Sequence, residues 1–258
     1  MIVTMAGTSI NGRVASRDDR PRSRRPVRLA SIVVEELAHD IIGGQLPEGS
    51  PIPTEDALCR QFGFSRTVMR EGLKLLEERG LIRVEQGRGT TVQSRESWNL
   101  IDPDVLRIAL EYDENAQLLD SIVTVRRLLE TAMTRDAARR LTKDELAALQ
   151  ANLDTMEELI DDYPHFQQLD QAFHRTLLSA SGNEIGRMII RAIHHYTAAD
   201  PRLSGHPGSA SALTRTVDEH RGILEALEQR DGDLAADRIT AHINASWSER
   251  RRAHLGHE

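Results

Sequence analysis

Aromatic side chains are scarce in this sequence, at 3% of 258 residues. β-Sandwiches and barrels lean on aromatic and β-branched residues, so both are disfavoured. Cysteine occurs once, at Cys59, which excludes an internal disulfide framework and fits a reducing cytoplasm. No run approaches the roughly 18–20 consecutive apolar residues that a membrane span needs. The opening MIVTMAGTSINGR has no charged segment followed by an apolar stretch, so no secretory signal is expected. The sequence is instead rich in Ala, Leu, Arg and Glu, which favour helix. With 39% hydrophobic and 28% charged residues, there is ample material for a core. The length allows one large domain or two modest ones. A soluble, cytoplasmic, mainly α-helical protein without membrane association is expected.

The formal net charge of −7 is unevenly spread. Residues 1–28 hold seven arginines against Asp18 and Asp19, whereas residues 29–93 and 94–258 are each net acidic. The first segment, with RDDRPRSRRPVR, lacks hydrophobic periodicity and reads as a mobile basic arm, either a solvated tail or a non-specific attractor of phosphate. The global charge does not point to nucleic acid, so that case rests on local pattern.

Leu29, Ile32, Val33, Leu37 and Ile41 recur at three- and four-residue steps, which predicts one face of a helix ended by Gly43-Gly44. After the turn-rich LPEGSPIP, Thr54 is a good N-cap for a short helix, TEDALCRQF, broken by Gly63. Ser65 caps a third helix, SRTVMREGLKLLEERG, with Val68, Met69, Leu73 and Leu76 as its buried stripe and Gly80 at its C-terminal cap. LIRV and TTV follow as short β-prone runs around EQGRG. Three helices and a two-stranded wing are the order of a winged helix-turn-helix, whose third helix enters the major groove with its N-terminal turn. Small polar and cationic residues cluster there: Ser65, Arg66 and Thr67, with Arg70 one turn further. Arg66 or Arg70 can read guanine edges, while Ser65 and Thr67 suit phosphates or base edges. In the wing, Gly87 and Gly89 permit close backbone approach, and Arg88 can reach a phosphate or the minor groove.

The stretch IPTEDALCRQFGFSRTVMREGLKLLEERGLIRVEQGRGTTV resembles the DNA-binding domain of the GntR family of bacterial transcription regulators. The resemblance implies that Ser65, Arg66, Thr67, Arg70, Gly87 and Arg88 contact operator DNA. Some relatives place an arginine where Asp56 stands, so that phosphate contact is not expected here.

Residues 94–102, SRESWNLID, read as a polar linker into a second domain over 103–250, followed by a tail. From Pro103 onward six to seven helical stretches follow one another, separated by Pro164, Gly182-Asn183, PRLSGHPGS and Asp231-Gly232. No strand-forming run interrupts them, which predicts an all-α bundle. His39, His165, His206, His254 and His257 sit in polar surroundings and read as surface residues, whereas His194 and His195 are ambiguous. Asp170 and His174, four apart in LDQAFH, share one helix face with Phe173 and Leu177 nearby. His220 and His242 stand on two further helices among apolar neighbours. A carboxylate and three imidazoles from three helices can close around one divalent ion, although a buried histidine is more often satisfied by a backbone carbonyl than by a metal.

VRRLLE…AARR, LDQAFHRTLLSASGN and EHRGILEALEQRD resemble the FCD-type effector domain of the FadR subfamily. The resemblance implies metal ligands at Asp170, His174, His220 and His242; zinc is the expected ion, with nickel and manganese compatible. Arg126, in IVTVRRLLE, is placed by Ile122, Val125 and Leu129 on an inward face. Its partner there is either a bound carboxylate or Glu130. Thr216, one turn before His220, can offer a hydroxyl to a polyol. WNLIDPDVLRIALE is similar to the domain junction of sugar-acid (galactonate-type) regulators, which implies a small carboxylate effector. The expected function is a homodimeric, ligand-responsive repressor on a palindromic operator, its two recognition helices about 34 Å apart. A metal-dependent enzyme acting on a small carboxylate is the second reading, since an Asp/His₃ site with an open position can activate water. Against it, the motifs place no separate general base or nucleophile.

Overall fold

The computed structural model describes residues 24–85, 87, 89–197 and 210–255, with side chains from 29 to 194 and from 211 to 252 apart from 86 and 88. Of the expected arm, residues 1–23 lie outside this range, and the backbone of 24–28 forms the first turns of α1 (Arg24–Ile42). The buried face of α1 is Ala30, Val33, Val34, Leu37, Ala38 and Ile41. Ile32, expected on that face, is instead 42% exposed, because its side of the helix is shared with the exposed Glu35 and Glu36.

The next two helices begin and end where the capping chemistry puts them. The Thr54 hydroxyl accepts from the Ala57 amide at 3.3 Å to open α2 (Glu55–Phe62), and Gly63 closes it at φ +69°. Ser65 caps α3 (Arg66–Glu78) by accepting from the Val68 amide. Val68, Met69, Leu73 and Leu76 are all buried. β1 (Ile82–Glu85) and β2 (Gly89–Val92) then pair antiparallel, Ile82 opposite Val92 and Glu85 opposite Gly89. The segment before α2 lies alongside β2, with the Ile52 amide donating to Thr90 and the Val92 amide to Ser50.

Gly80 follows α3 at φ +73°, and a Cβ there would collide with the carbonyl oxygen of Ser97. The position therefore needs glycine for both conformation and space. Gly80→Ala is expected to cost at least about 2 kcal/mol in urea unfolding, because strain and clash add.

Seven described helices follow: α4 (Pro103–Glu111), α5 (Gln117–Arg140), α6 (Lys143–Glu158), α7 (Tyr163–Ala180), α8 (Glu184–Thr197), α9 (Ala210–Glu228) and α10 (Gly232–Leu255). The PRLSGHPGS loop falls outside the described residues. Pro164 stands inside the first turn of α7, where its missing N–H costs nothing. A reciprocal Thr142–Glu145 capping box opens α6. The long α5 packs against α7, α8, α9 and α10, around a core that includes Leu149, Leu153, Met156, Phe173 and Ile239.

Two hydrophobic cores meet at α4. Val105 and Ile108 join the cluster formed by α1, α3 and the wing, while Leu106 and Leu110 pack with Leu119, Ile122, Ile193 and Trp247 of the bundle. Residues 94–102 include a short 3₁₀ turn at Arg95–Ser97 and place Trp98 and Leu100 against the first cluster. Arg79, following α3, pairs with Asp102 at 3.1 Å and Asp104 at 2.5 Å. Arg107 of α4 pairs with Glu35 of α1 at 2.9 Å.

Candidate functional site

The exposed side of α3 carries the residues expected to read DNA. Ser65, Arg66, Thr67 and Arg70 are all exposed. The Ser65 hydroxyl accepts the capping bond, which leaves its O–H and one lone pair free. Arg66 Nη2 lies 3.0 Å from Asp56 Oδ1, and Arg70 Nε donates to Glu55 Oε2 at 2.9 Å. Asp56, where the resemblance led to the expectation of an arginine in some relatives, instead pairs with a cation of α3. At the wing tip Gly87 has φ +81° with nothing within 4 Å of a would-be Cβ, so the backbone there is open to a partner. Arg88 lies outside the described residues.

In the bundle, Asp170, His174, His220 and His242 lie together. Their ligand atoms all fall within 4.8 Å of one another. His220 Nε2 is 3.3 Å from His242 Nε2 and 3.6 Å from Asp170 Oδ1. The helical spacing of α7 places Asp170 and His174 on one side, α9 brings His220 and α10 brings His242. His220 is held flat against Phe173, ring centroids 4.3 Å apart and 6° from parallel. Asp170, His174 and His242 line a cavity together with Arg126, His194 and Thr216.

The hydrogen-bond pattern around these rings bears on what they can hold. Glu219 Oε2 stands 2.7 Å from His242 Nδ1, and Glu130 Oε2 stands 3.2 Å from His174 Nδ1. At His242 the hydrogen-bonded carboxylate can accept from an Nδ1–H and leave Nε2 its lone pair, the arrangement that orients metal-ligating imidazoles. Glu130 instead faces His174 Nδ1 as an ion-pair neighbour outside hydrogen-bond geometry. Burial, then the neighbouring His242 and His174, hold His220 well below the ordinary imidazole value, so it stays neutral. Two facing Nε2 atoms and a carboxylate oxygen suit a divalent cation, and this donor set fits one. For His174, burial lowers its proton affinity, but Glu130 outweighs that and raises it.

Glu130 links this cluster to the cavity wall. It is fully buried, with Oε1 accepting from Arg126 Nε at 2.9 Å and facing His194 Nε2 at 3.7 Å. Burial alone would raise its pKa, yet Arg126 and the two histidines hold it well below the usual carboxylate range. The sequence left Arg126 a choice between a bound carboxylate and Glu130; it pairs with Glu130 while also lining the cavity. The inward face expected from Ile122, Val125 and Leu129 is corrected at Val125, which is 41% exposed. The buried face of α5 instead runs through Ile122, Val123, Glu130, Met133 and Thr134. Thr216 lines the cavity, and its hydroxyl donates to the Ala212 carbonyl at 3.1 Å.

Residues 29–92 match the model of the bacterial regulatory proteins of the gntR family, and residues 121–245 match the FCD domain. The galactonate operon transcriptional repressor of Escherichia coli K12 is 31% identical over 214 residues, spanning 83% of this chain and 93% of that protein. The chain belongs to the GntR family. This GntR-family chain is also 28% identical to the HTH-type transcriptional repressor NanR of Cronobacter sakazakii, over 88% of the chain and 90% of that protein. The solved structure of Lar, which controls expression of the Listeria monocytogenes agr system, covers 87% of this chain and 97% of its own at TM-score 0.53 and 19% identity; that likeness shows the fold. The GntR-family chain is a DNA-binding transcription regulator with an FCD domain, and its family are regulators, not enzymes. Among the described residues, no helix is long and apolar enough to cross a membrane.

Several residues of this GntR regulator's cavity were not singled out in the sequence. Glu219 precedes His220 and gives no signal of its own, because its partner His242 lies on another helix. His194 was ambiguous, and it lines the cavity with Nε2 buried. His165, read as a surface residue, is exposed and bonded to Asp162. His39 is half-buried against Tyr112, and the side chains of His195, His206, His254 and His257 lie outside the described set.

Proposed function

We propose that this regulator is a cytoplasmic, homodimeric repressor of an operon for catabolism of a sugar acid or related organic acid, released by that acid. In this reading residues 29–93 form the DNA-reading head and 103–250 the effector-binding domain. The observation that carries it is the convergence of Asp170, His174, His220 and His242 beside a cavity that also exposes Arg126. These four side chains would hold a divalent metal, with zinc favoured by the three imidazoles and nickel or manganese also compatible. Bound there, the ion supplies a Lewis-acidic position for a carboxylate or hydroxyl oxygen. Arg126, its Nε fixed by Glu130, presents a planar cation to the effector's carboxylate. Thr216 and His194 offer polar atoms to its hydroxyl groups.

The galactonate operon repressor among the relatives supports the sugar-acid class. The large apolar side chains exposed on the neighbouring helices α5 and α8, namely Val125, Leu128, Ile185, Met188 and Ile189, support a second copy as partner. Trp247 lines the cavity and also packs against the apolar cluster that Leu106 and Leu110 of α4 join, and the other face of α4 is built into the head. An effector that moves Trp247 therefore acts on the element that holds the head, and a coupling of about 1–3 kcal/mol changes operator affinity substantially.

The test is an electrophoretic mobility shift on the promoter beside the gene, with and without a panel of sugar acids. Arg66→Ala with Arg70→Ala is expected to weaken operator binding at least about thirtyfold, from two contacts of about 1–3 kcal/mol each. Undiminished binding by the double variant would remove α3 as the reading helix, and no response to any acid would remove the effector class.

A further inference from the structure

We propose that the two acids opening α2 give the two arginines of α3 different tasks: Glu55 positions Arg70 as a base reader, and Asp56 restrains Arg66 as a competitor of DNA phosphate. The inference rests on the reading of α3 as the helix that enters the groove. Glu55 and Asp56 occupy the first turn of α2, and Arg66 and Arg70 lie one turn apart on the exposed side of α3. Both arginine side chains are 68% exposed, so their ion pairs face the solvent that DNA would displace.

The nitrogen that each acid takes makes the difference. A guanine edge presents N7 and O6, and an arginine reads both with its fork of donors. On Arg70 the carboxylate accepts from Nε, which leaves the terminal pair, Nη1 and Nη2, to meet a base end-on. The long side chain is already held, so less rotamer freedom is lost on contact. On Arg66 the carboxylate takes Nη2 itself, so an end-on fork requires that pair to break. The same carboxylates cancel cationic charge beside the phosphates and reduce the counterions released on binding, which lowers affinity for any duplex. Acids at the start of α2 also suit its helix dipole, but that role alone would affect stability and not base preference.

The test uses the full-length protein with operators selected from a random duplex library. Affinity is measured for the selected duplex, for copies with each guanine replaced in turn, and for bulk random duplex across a salt series. Glu55→Ala, which removes the acceptor, is expected to lose about tenfold preference at one guanine, within the range of a bidentate base contact. It should also bind bulk duplex severalfold more tightly. Glu55→Asp keeps the charge but shortens the reach, so it loses the same preference without the gain on bulk duplex. Asp56→Asn is expected to tighten selected and bulk duplex alike, to steepen the salt dependence and to leave guanine preference intact. Full preference in both Glu55 variants would overturn the proposal, as would loss of preference in Asp56→Asn. A Glu55→Ala deficit equal on every duplex and matched by a lower melting temperature would also overturn it. Arg70→Ala separates the two levels: intact preference there would defeat the α3 reading itself, whereas its loss beside silent Glu55 variants would defeat only the positioning role.

Discussion

Replacing Glu130 by alanine is expected to cost about 3–5 kcal/mol, the range for leaving a buried charge without its partner. Glu130 is completely buried and its two oxygens face three nitrogen-bearing side chains: Arg126, His174 and His194. Alanine leaves Arg126, whose side chain is only 22% exposed, without the carboxylate that offsets its burial. For a chain of this size the loss corresponds to a fall in melting temperature on the order of 10 °C. Glu130→Gln keeps an acceptor for Arg126 and should lose less. Urea unfolding and calorimetry measure both, and a cost below about 1 kcal/mol for the alanine variant would show that the bundle does not depend on this pair. The pH dependence has a definite sign. Arg126 and the histidines depress the folded-state pKa of Glu130, so its contribution is fully present above the unfolded value of about 4.3. It is lost as pH falls from there through the folded value, so the gap between wild type and Glu130→Gln should narrow in that acid range. Because Glu130 also raises the proton affinity of His174, a second part of the gap is present at lower pH and is lost as pH rises through the raised His174 value.

If the imidazole cluster holds the proposed divalent ion, a chelator is expected to lower the melting temperature by about 5–10 °C. A ligand at a hundred times its dissociation constant adds about 2.7 kcal/mol, and a chain of this size shifts by about 2–4 °C per kcal/mol. The chelated protein should recover with one equivalent of zinc, counted by elemental analysis. His174→Ala and His220→Ala should melt at the same temperature with and without chelator. If chelation left wild type unchanged while elemental analysis showed no bound ion, the imidazole cluster would be a self-contained polar core. Metal affinity should fall as pH falls, because ligation needs unprotonated imidazoles. Since Glu130 raises the proton affinity of His174, that competition begins above the ordinary histidine value of about 6.5. His220, held well below that value, should not contribute to the loss near neutrality.

Local chemistry carried much of the architecture into the sequence. Thr54, Gly63 and Ser65 mark helix ends because each satisfies or terminates a backbone ladder within a few residues of itself. The stripe Val68, Met69, Leu73 and Leu76 is legible because α3 buries a single face. The same reasoning failed at Ile32 and Val125, where apolar side chains at near-helical spacing point outward. Apolar spacing reports which residues can be buried, and the neighbours on each face decide which of them are.

Composition, caps and periodicity thus determined a winged helix-turn-helix followed by a helical bundle, since those signals act over one or two turns of chain. Tertiary packing decided the rest. The Arg70–Glu55 and Arg66–Asp56 pairs depend on how α2 crosses α3. The contact of Glu219 with His242 depends on α9 lying beside α10. The sharing of α4 between two cores depends on both of its faces finding cover at once. Each of these joins side chains far apart along the chain, where the distance between them is set by the packing of whole helices and no local spacing encodes it.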